Sequence, residues 1–367
     1  MKKTNKWLAV ILCTAMLGAS LSGCKSSGSG STQAPAAETE KAVEAKTDAA
    51  KTDAAEKTAE KETESGKAMK AALVTAQKLG DQGVTDLCHS GFMKAAGEYG
   101  METQVVEVQK GEYEESIRAL CEDGYDIVVA LNVELVDATS KVAPDYPDVD
   151  FVLTLGEVEL SNLKCLLGQE HEGSYLAGVE AGMITKTDHI GFIGGQDNAE
   201  INRFLAGYEQ GAKSVNPDIV VDPVYVGSFE DPTKGKDLAL MLYNQGCDIV
   251  YSAAAKSGLG MFDAAKETGG LCIGVDVNQN DVLPGQVIGS MAIAYDQWIY
   301  NAIKEIAEGK FEAGVFWYGV EGDNVYLALP TKDQYDLPEE VIKAVETAKE
   351  KVISGEITVD PVAEKDK

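Results

Sequence analysis

The chain has 367 residues, of which 60 are acidic and 32 are Lys or Arg, so its formal net charge is −28. This charge argues against nucleic acid and bare anionic lipid as partners, because both carry negative charge themselves. The lysines before residue 24 are offset by excess acids in residues 25–66, so the net charge belongs to residues 67–367. That stretch of about 300 residues is long enough for two packed lobes.

The first 24 residues have the pattern of an export signal. Three lysines precede an apolar run over 7–17, which is shorter than the roughly 20 residues of a bilayer span. The ending Leu21-Ser22-Gly23-Cys24 resembles the lipobox of bacterial lipoproteins, in which the cysteine is acylated and becomes the new N-terminus. We expect residues 1–23 to be removed and Cys24 to carry lipid. The alternative is an uncleaved anchor helix with an incidental cysteine.

Residues 24–66 are predicted to form a flexible, lipid-anchored linker. They are Ser, Gly, Ala, Thr, Glu and Lys with almost no large apolar residue, and they contain a repeated Lys-Thr-Asp-Ala-Ala. Such a segment cannot bury enough surface to offset its ordering entropy. The protein is therefore expected at the cell membrane, tethered on its extracytoplasmic face.

After residue 67, apolar runs of strand length alternate with segments of helical spacing. Strands are predicted at 71–75, 104–108, 127–131, 151–155, 189–193, 219–221 with 224–226, 249–251, 272–275 and 287–291. Helices are predicted at 87–99, 112–122, 135–142, 172–185, 201–215, 236–245, 261–268 and 295–308. The alternation predicts an α/β protein with two doubly wound lobes that form a clamshell.

The two lobes of residues 67–330 are assigned ranges from this pattern. The first is expected to take about 67–170 and about 292–330, and the second about 171–291. Residues 331–367 are expected to form a C-terminal helix and a charged, frayed tail without a site.

Cysteine and histidine do not predict a metal centre or a disulfide framework. The body has five scattered cysteines with no C-x-x-C pair, which indicates small buried apolar residues. These are Cys88, Cys121, Cys165, Cys247 and Cys272. His89, His171 and His189 are far apart in the chain, so no metal and no cofactor is expected. A calcium loop opening at Asp276 is disfavoured because Asp281 occupies its glycine position.

Ligands of open α/β sheets bind beyond the carboxyl ends of the strands. The segments that follow the predicted strands there are 78–86, 132–137, 194–195, 227–229, 254–260 and 276–279. They carry carboxylates, amides, glycines and one aromatic ring. This mixture suits a neutral, polyhydroxylated ligand with a flat ring, because carboxylates accept from hydroxyls and ring N–H groups.

At these loops the chain resembles the basic membrane protein family, the nucleoside-type substrate-binding lipoproteins of ABC importers. The similarity covers nearly all of residues 68–320, and it is strongest in Glu172–Gly178, Ile190–Gly195, Phe204–Gly207, Gly227–Asp231 and Ile273–Gln279. It implies a fold like that of type I periplasmic binding proteins and a monomer that captures a nucleoside. It also implies delivery of that nucleoside to an ABC permease and its ATPase.

The resemblance implies roles for four residues. Asp81, Asp137 and Asp276 would accept hydrogen bonds from the ligand, and Phe229 would stack on its base. Each has a structural alternative. Asp81 could be a turn residue, Asp137 a solvated helix residue, Phe229 a core residue and Asp276 a helix cap.

The chain departs from the family in ways that affect the ligand. The first-lobe loop, usually Asp-x-Ser-Phe-Asn-Gln, is Asp81-Gln-Gly-Val-Thr-Asp86, so Val84 replaces the stacking phenylalanine and Thr85 the amide. Ile293 lies where a lysine often follows Ser290-Met291. Lys256, in a glycine-rich loop with Gly258, could supply the missing donor or be a solvated lysine. A purine nucleoside is the first choice, with a pyrimidine nucleoside, free base or sugar as alternatives.

Other functions are weighed against import. No G-x-S-x-G, Walker A, H-E-x-x-H or C-x-x-C motif is present, so an enzyme is disfavoured, although Asp276 and Asp281 could in principle serve a nucleosidase. A lipid-anchored sensor that presents a ligand such as a sugar or base to a membrane receptor is an open alternative. A gene regulator is disfavoured because the export signal stands where a DNA-binding head would be.

Overall fold

The computed structural model describes residues 68–367. The predicted signal, the linker and the lipid attachment at Cys24 therefore lie outside the described residues. Within residues 68–367, no helix has both the length and the hydropathy needed to cross a bilayer.

Strands of this region alternate with helices in the manner predicted for an α/β protein. The strands are β1 (Lys70–Thr75), β2 (Glu102–Glu107), β3 (Ile127–Leu131), β4 (Asp150–Thr154), β5 (Leu163–Gly168), β6 (His189–Gly194), β7 (Val220–Tyr225), β8 (Ile249–Ala253), β9 (Leu271–Asp276), β10 (Val287–Ile293), β11 (Gly314–Tyr318) and β12 (Val325–Ala328). The helices are α1 (Val84–Glu98), α2 (Tyr113–Glu122), α3 (Val136–Val142), α4 (Glu170–Ile184), α5 (Ala199–Val215), α6 (Pro232–Asn244), α7 (Leu259–Thr268), α8 (Tyr295–Ala307) and α9 (Glu339–Ile353).

The strands form two six-stranded sheets with the same arrangement. The first has the order β11-β5-β4-β3-β1-β2 and the second β12-β10-β9-β8-β6-β7. All neighbours are parallel except β12, which pairs antiparallel with β10. Each sheet therefore reverses its strand order between its first and third strands, β1 and β3 in one and β6 and β8 in the other. Such a switch point opens a crevice at the carboxyl ends of the strands.

Burial follows strand position in the sheet. Every residue of the central strand β3 is buried, whereas the edge strand β2 is mostly exposed. This agrees with the sequence, since Ile127-Val-Val-Ala-Leu131 is continuously apolar and β2 is largely polar. Helices cover both faces, so the predicted fold class is confirmed.

Glycines let α4 and α5 pack at unusually close range. A Cβ on Gly207 would lie 2.0 Å from the carbonyl oxygen of His171, and one on Gly211 equally close to that of Tyr175. Both contacts are with backbone, so no side chain could move aside. This packing accounts for two of the family-like segments, Glu172–Gly178 and Phe204–Gly207.

The strands β5, β11 and β12 were not predicted, and one lobe range needs correction. Residues up to 330 were assigned to the first lobe, but β12 belongs to the second sheet. The chain thus adds β11 to the first sheet and then returns to the second. α8 packs on α1 of the first lobe.

The C-terminal tail is packed, so the expectation of a frayed end is wrong. Val359 and Ala363 are buried, and the side chain of Gln210 on α5 bonds the backbone of Asp360 in both directions, at 2.7 and 3.0 Å. Lys365 pairs with Asp197 at 2.6 Å.

Candidate functional site

The loops at the carboxyl ends of both sheets enclose one cleft. Its first-lobe wall follows β1, β3 and β4, and its second-lobe wall follows β6 to β9, as the switch points require. The residues that line it are Gln77, Asp81, Val84, Asn132, Val133, Leu155, Glu200, Ile201, Phe204, Phe229, Ala253, Ala255, Val275, Asp276 and Tyr295. The cleft holds about 580 Å³ of space between protein atoms, its mouth included, but only about 60 Å³ admits the centre of a water molecule. It is therefore a narrow slot.

Asp81 organises the first-lobe loop. Its Oδ1 accepts from the backbone N–H of Gly83 at 3.0 Å and of Asp86 at 3.1 Å, and its Oδ2 accepts from Thr85 N–H at 2.9 Å. These donors belong to the start of α1, where a carboxylate is favoured by the helix dipole. Asp81 is 4% exposed and borders the cleft. Its hydrogen bonds support its interpretation as a turn residue, and its position at the cleft supports its interpretation as a ligand contact.

Asp86 and Thr85 support this loop from outside the cleft. The Asp86 carboxylate accepts from the N–H groups of Gly80 at 2.7 Å and Gln82 at 2.9 Å. Thr85 is fully buried, and its hydroxyl has no hydrogen-bond partner within residues 68–367. The Asp86 carboxylate thus holds the loop that presents Val84, which itself lines the cleft.

Asp276 reaches the cleft from the end of β9 in a strained conformation. Its φ is +67°, and Val277 N–H donates to the carbonyl of Val275 at 2.8 Å, which closes a tight three-residue turn around it. Such a turn is rare and costs about 1–3 kcal/mol, and strain of this kind concentrates at functional sites. No helix begins after Asp276, so the helix-cap interpretation is wrong.

The Asp276 carboxylate is buried without a partner. It is 7% exposed and makes no hydrogen bond to any other described residue. Gly83 of the opposite lobe packs against it, since a Cβ there would lie 3.1 Å from Asp276 Oδ2. Burial, followed by the negative charges of Asp81 and Glu170, raises the pKa of Asp276 to about 7. A buried acceptor without a protein partner can accept a hydrogen bond from a ligand that enters the slot.

Glu200 is a third carboxyl of the cleft lining, and it was not predicted from the sequence. It lies in the first turn of α5, whose N-cap Asn198 accepts from Ile201 N–H at 2.9 Å. Burial, followed by the charge of Glu170, raises the pKa of Glu200 to about 7. Arg203 opposes this shift, but its Nε donates to Glu170 Oε2 at 2.8 Å. Among the described residues that line the cleft there is no Lys or Arg.

Asn132 also lines the cleft, although the sequence predicted only Asp137 from its loop as a site residue. It directly follows β3 with φ +76°, and its Oδ1 accepts from the Thr75 hydroxyl at 2.9 Å. The residue predicted from that loop, Asp137, lies instead in the first turn of α3 and does not line the cleft. The switch point favours the residue directly after the strand.

Phe229 provides an aromatic wall. A Cβ on Gly195 would lie 2.2 Å from the Phe229 ring, so the ring rests directly against the Gly195 backbone. Backbone bonds anchor the segment, since Ser257 N–H donates to the carbonyl of Phe229 at 3.0 Å. Phe204 and Tyr295 add further aromatic surface to the lining.

Lys256 and Gly258 lie outside the cleft lining. Lys256 pairs with Glu230 at 3.2 Å, and both side chains are more than 40% exposed, which favours the solvated interpretation. Gly258 packs against Ser252, because a Cβ there would lie 2.6 Å from Ser252 Oγ. The structure therefore brings together Asp81, Val84, Phe229 and Asp276 of the nine predicted site residues.

A family model described as "ABC transporter substrate-binding protein PnrA-like" matches residues 68–362. The chain belongs to this family. The resemblance to the basic membrane protein family is thus confirmed, and this PnrA-like chain is a substrate-binding protein of an ABC transporter. Such proteins act outside the cytoplasm and hand a small ligand to a permease.

Proteins similar to this PnrA-like chain support the same family assignment. It is 32% identical to the "ABC transporter nucleoside-binding protein BmpA" of Lactococcus lactis subsp. cremoris (strain MG1363), over 80% of this chain and 91% of that one. It is 28% identical to "Basic membrane protein A1" of Borrelia garinii subsp. bavariensis, over 79% and 88%. A solved ABC transporter solute-binding protein of Aeropyrum pernix K1 superposes with a TM-score of 0.73 at 26% identity, over 79% of this chain and 92% of that one.

Proposed function

We propose that this protein is a lipid-anchored, extracytoplasmic receptor that binds a nucleoside, with a purine nucleoside preferred, and delivers it to an ABC permease. The observation that carries the ligand assignment is a slot in which carboxyl groups without protein partners lie beside an aromatic wall, with no Lys or Arg among the lining residues of 68–367. The name of the Lactococcus lactis relative, a nucleoside-binding protein, supports the same ligand class.

The cleft chemistry matches a neutral nucleoside part by part. The ribose hydroxyls and the base N–H groups are donors, which the Asp276 and Glu200 carboxyls can accept. The flat base fits a narrow slot and can stack on Phe229. A phosphorylated ligand would meet three carboxyl groups and no Lys or Arg among the described lining residues. We therefore assign ligand contacts to Asp276, Glu200, Asn132, Phe229 and Val84, with Asp81 bordering the site.

Titration calorimetry of residues 67–367, unfolded and refolded to remove carried ligand, tests the assignment. Adenosine, guanosine, inosine, uridine, cytidine, adenosine monophosphate and ribose form the panel. We expect saturable binding of one nucleoside per chain, strongest for purines, and none of the monophosphate. Binding of ribose alone, or of the monophosphate as tightly as of adenosine, would contradict the nucleoside assignment.

The proposal of a lipid anchor is based on the sequence of the first 24 residues. We propose that signal cleavage leaves Cys24 acylated at the membrane surface, with residues 25–66 as the tether. Cys24→Ala in the full chain is expected to abolish incorporation of labelled fatty acid and to leave residues 1–23 uncleaved, whereas Cys121→Ser is expected to be labelled and cleaved as the wild type is. Fatty-acid labelling of the Cys24→Ala protein would contradict the lipid anchor at Cys24.

A further inference from the structure

Three potential metal ligands from three separate parts of the chain meet at one edge of the second sheet. His189 is the first residue of β6, Asp222 lies in β7, and Cys247 comes two residues before β8. One ligand atom from each lies within 4.8 Å of the others, and His189 Nε2 is 2.6 Å from Asp222 Oδ2. The chain separations, 33 residues between His189 and Asp222, hide this cluster from any spacing motif.

The cluster lies at the opposite end of the sheet from the ligand cleft. β6, β7 and β8 are parallel, His189 begins its strand, and the cleft loops follow the carboxyl ends of these strands. The cluster is therefore separate from the proposed nucleoside site, and no residue of the cleft lining belongs to it.

Imidazole nitrogen, carboxylate oxygen and thiolate sulfur are together a donor set typical of Zn²⁺. A tetrahedral zinc ion with bonds of about 2.0 Å to nitrogen and oxygen and 2.3 Å to sulfur places its ligand atoms roughly 3.3–3.5 Å apart. The separation of His189 Nε2 and Asp222 Oδ2, 2.6 Å, is shorter than this, and the distances to the sulfur do not exceed 4.8 Å. The ion would move the nitrogen and the oxygen apart by less than about 1 Å, a change within the reach of side-chain rotation.

The burial of the three residues leaves an entry path and an open position. Cys247 is 3% exposed, whereas the side chains of His189 and Asp222 are 25% and 39% exposed. An ion on the solvent side of the sulfur would thus contact all three residues and keep one position for water, as in zinc sites with three protein ligands.

The backbone around the cluster is held in place. Asp248 N–H donates to the His189 carbonyl at 3.1 Å. The Asp248 carboxylate accepts from Thr185 Oγ1 at 2.7 Å and from Lys186 N–H at 2.6 Å. Two of the three ligand-bearing segments are therefore joined before any ion arrives, and supported sites of this kind bind metals more tightly.

We propose that His189, Asp222 and Cys247 bind one Zn²⁺ ion, which ties the starts of β6, β7 and β8 together. On binding, the Cys247 S–H bond breaks, its proton passes to solvent, and the sulfur lone pair forms the bond to zinc. No electron is transferred. The ion stabilises the second lobe and does not take part in ligand capture.

The test uses the full chain, reduced and solubilised in detergent, with Co²⁺ as a spectroscopic substitute for Zn²⁺. We expect one Co²⁺ per chain, with a sulfur-to-cobalt charge-transfer band in the near ultraviolet that Zn²⁺ abolishes. Cys247→Ser is expected to remove the band, and the matched variant Cys121→Ser, a buried cysteine outside the cluster, to retain it. Absence of the band in the wild type, or its persistence in Cys247→Ser, overturns the proposal.

Asp222→Asn is the second variant, to be used if Cys247→Ser fails to fold. Asp222 is half-exposed, and an Asn at this position can keep a hydrogen bond to His189. It is expected to weaken Zn²⁺ binding by at least the roughly 10- to 100-fold that loss of an outer-shell partner costs. It is also expected to abolish the rise in Tm that Zn²⁺ causes in the wild type. If a folded Asp222→Asn protein kept its zinc affinity, Asp222 would not be a zinc ligand, and the proposed three-residue site would be overturned.

Discussion

Replacement of Asp276 by Asn is the most informative change in the cleft. Asn tolerates the left-handed backbone that φ +67° requires, whereas Ala would add strain to the loss of the side chain. The substitution therefore removes the charge and one acceptor oxygen and leaves the shape intact.

The magnitude follows from the bonds that Asp276 can make. Hydrogen bonds to charged groups contribute about 1.5–3 kcal/mol and neutral ones about 0.5–1.5 kcal/mol. If the carboxylate accepts from two ligand donors, Asn loses about 2–3 kcal/mol in total, which is roughly 30- to 150-fold in Kd. The free energy of unfolding of the ligand-free protein should not fall, because the carboxylate has no protein partner.

Calorimetry with adenosine measures the affinity, and thermal unfolding of the stripped protein measures the stability. Asp281→Asn is the matched control, since Asp281 is exposed and bonds only to Gln334, at 2.7 Å, among the described residues. We expect the control to bind as the wild type does. An Asp276→Asn protein with wild-type affinity would refute the assignment of this residue to the site.

The remaining predictions concern pH, selectivity and stability. Because burial raises the pKa of Asp276 to about 7, adenosine affinity should rise from pH 6 to pH 8 as the acceptor ionises. The protonated carboxyl stabilises the ligand-free protein, and this stability should be lost as the pH rises through about 4–7. Val84→Phe should supply a second stacking face and favour purine nucleosides over uridine by about 0.5–1.5 kcal/mol, or roughly 2- to 10-fold, by calorimetry. Asp81→Asn should lower the free energy of unfolding by about 1.5–3 kcal/mol in urea titrations, because one charge-assisted bond to the loop backbone is lost. Deletion of 357–367 should lower it by at least about 2 kcal/mol, because the tail buries apolar side chains on α5.

Each of these has a contrary outcome. Affinity that is flat between pH 6 and pH 8 would mean that the ligand does not bond to the ionised Asp276. Equal gains for adenosine and uridine in Val84→Phe would show that the ring does not contact the base. An Asp81→Asn protein that kept its stability but lost its affinity would show that Asp81 acts on the ligand and not on the stability of the loop. An unchanged unfolding midpoint after deletion of 357–367 would show that the packed tail adds no stability.

Local sequence pattern was sufficient for most of the fold. The run Ile127-Val-Val-Ala-Leu131 is typical of a buried strand, and the alternation of strands and helices then indicated parallel sheets. β11 and β12 were not predicted because each forms by pairing with a strand that is not its neighbour in the chain, β11 with β5 and β12 with β10. β12 exists through its pairing with β10, which the sequence around it does not specify.

The site was only partly predictable for a related reason. Asp276 is the last residue of β9 and Phe229 lies in the loop after β7, so the rule for carboxyl ends located both. Glu200 looks like an ordinary acid in a first helical turn, and only the folded structure shows that it lines the same cleft as Asp276. Lys256 was predicted from its loop alone, but its ion pair with Glu230 depends on side-chain positions that loop composition does not determine.

The most direct test of the central claim is a crystal structure of residues 67–367 with bound adenosine. The base is expected against the Phe229 ring, with ligand hydroxyl or N–H groups within hydrogen-bond distance of the Asp276 and Glu200 carboxyls. Adenosine bound outside this cleft, or within it but contacting neither carboxyl, would contradict the proposed binding site.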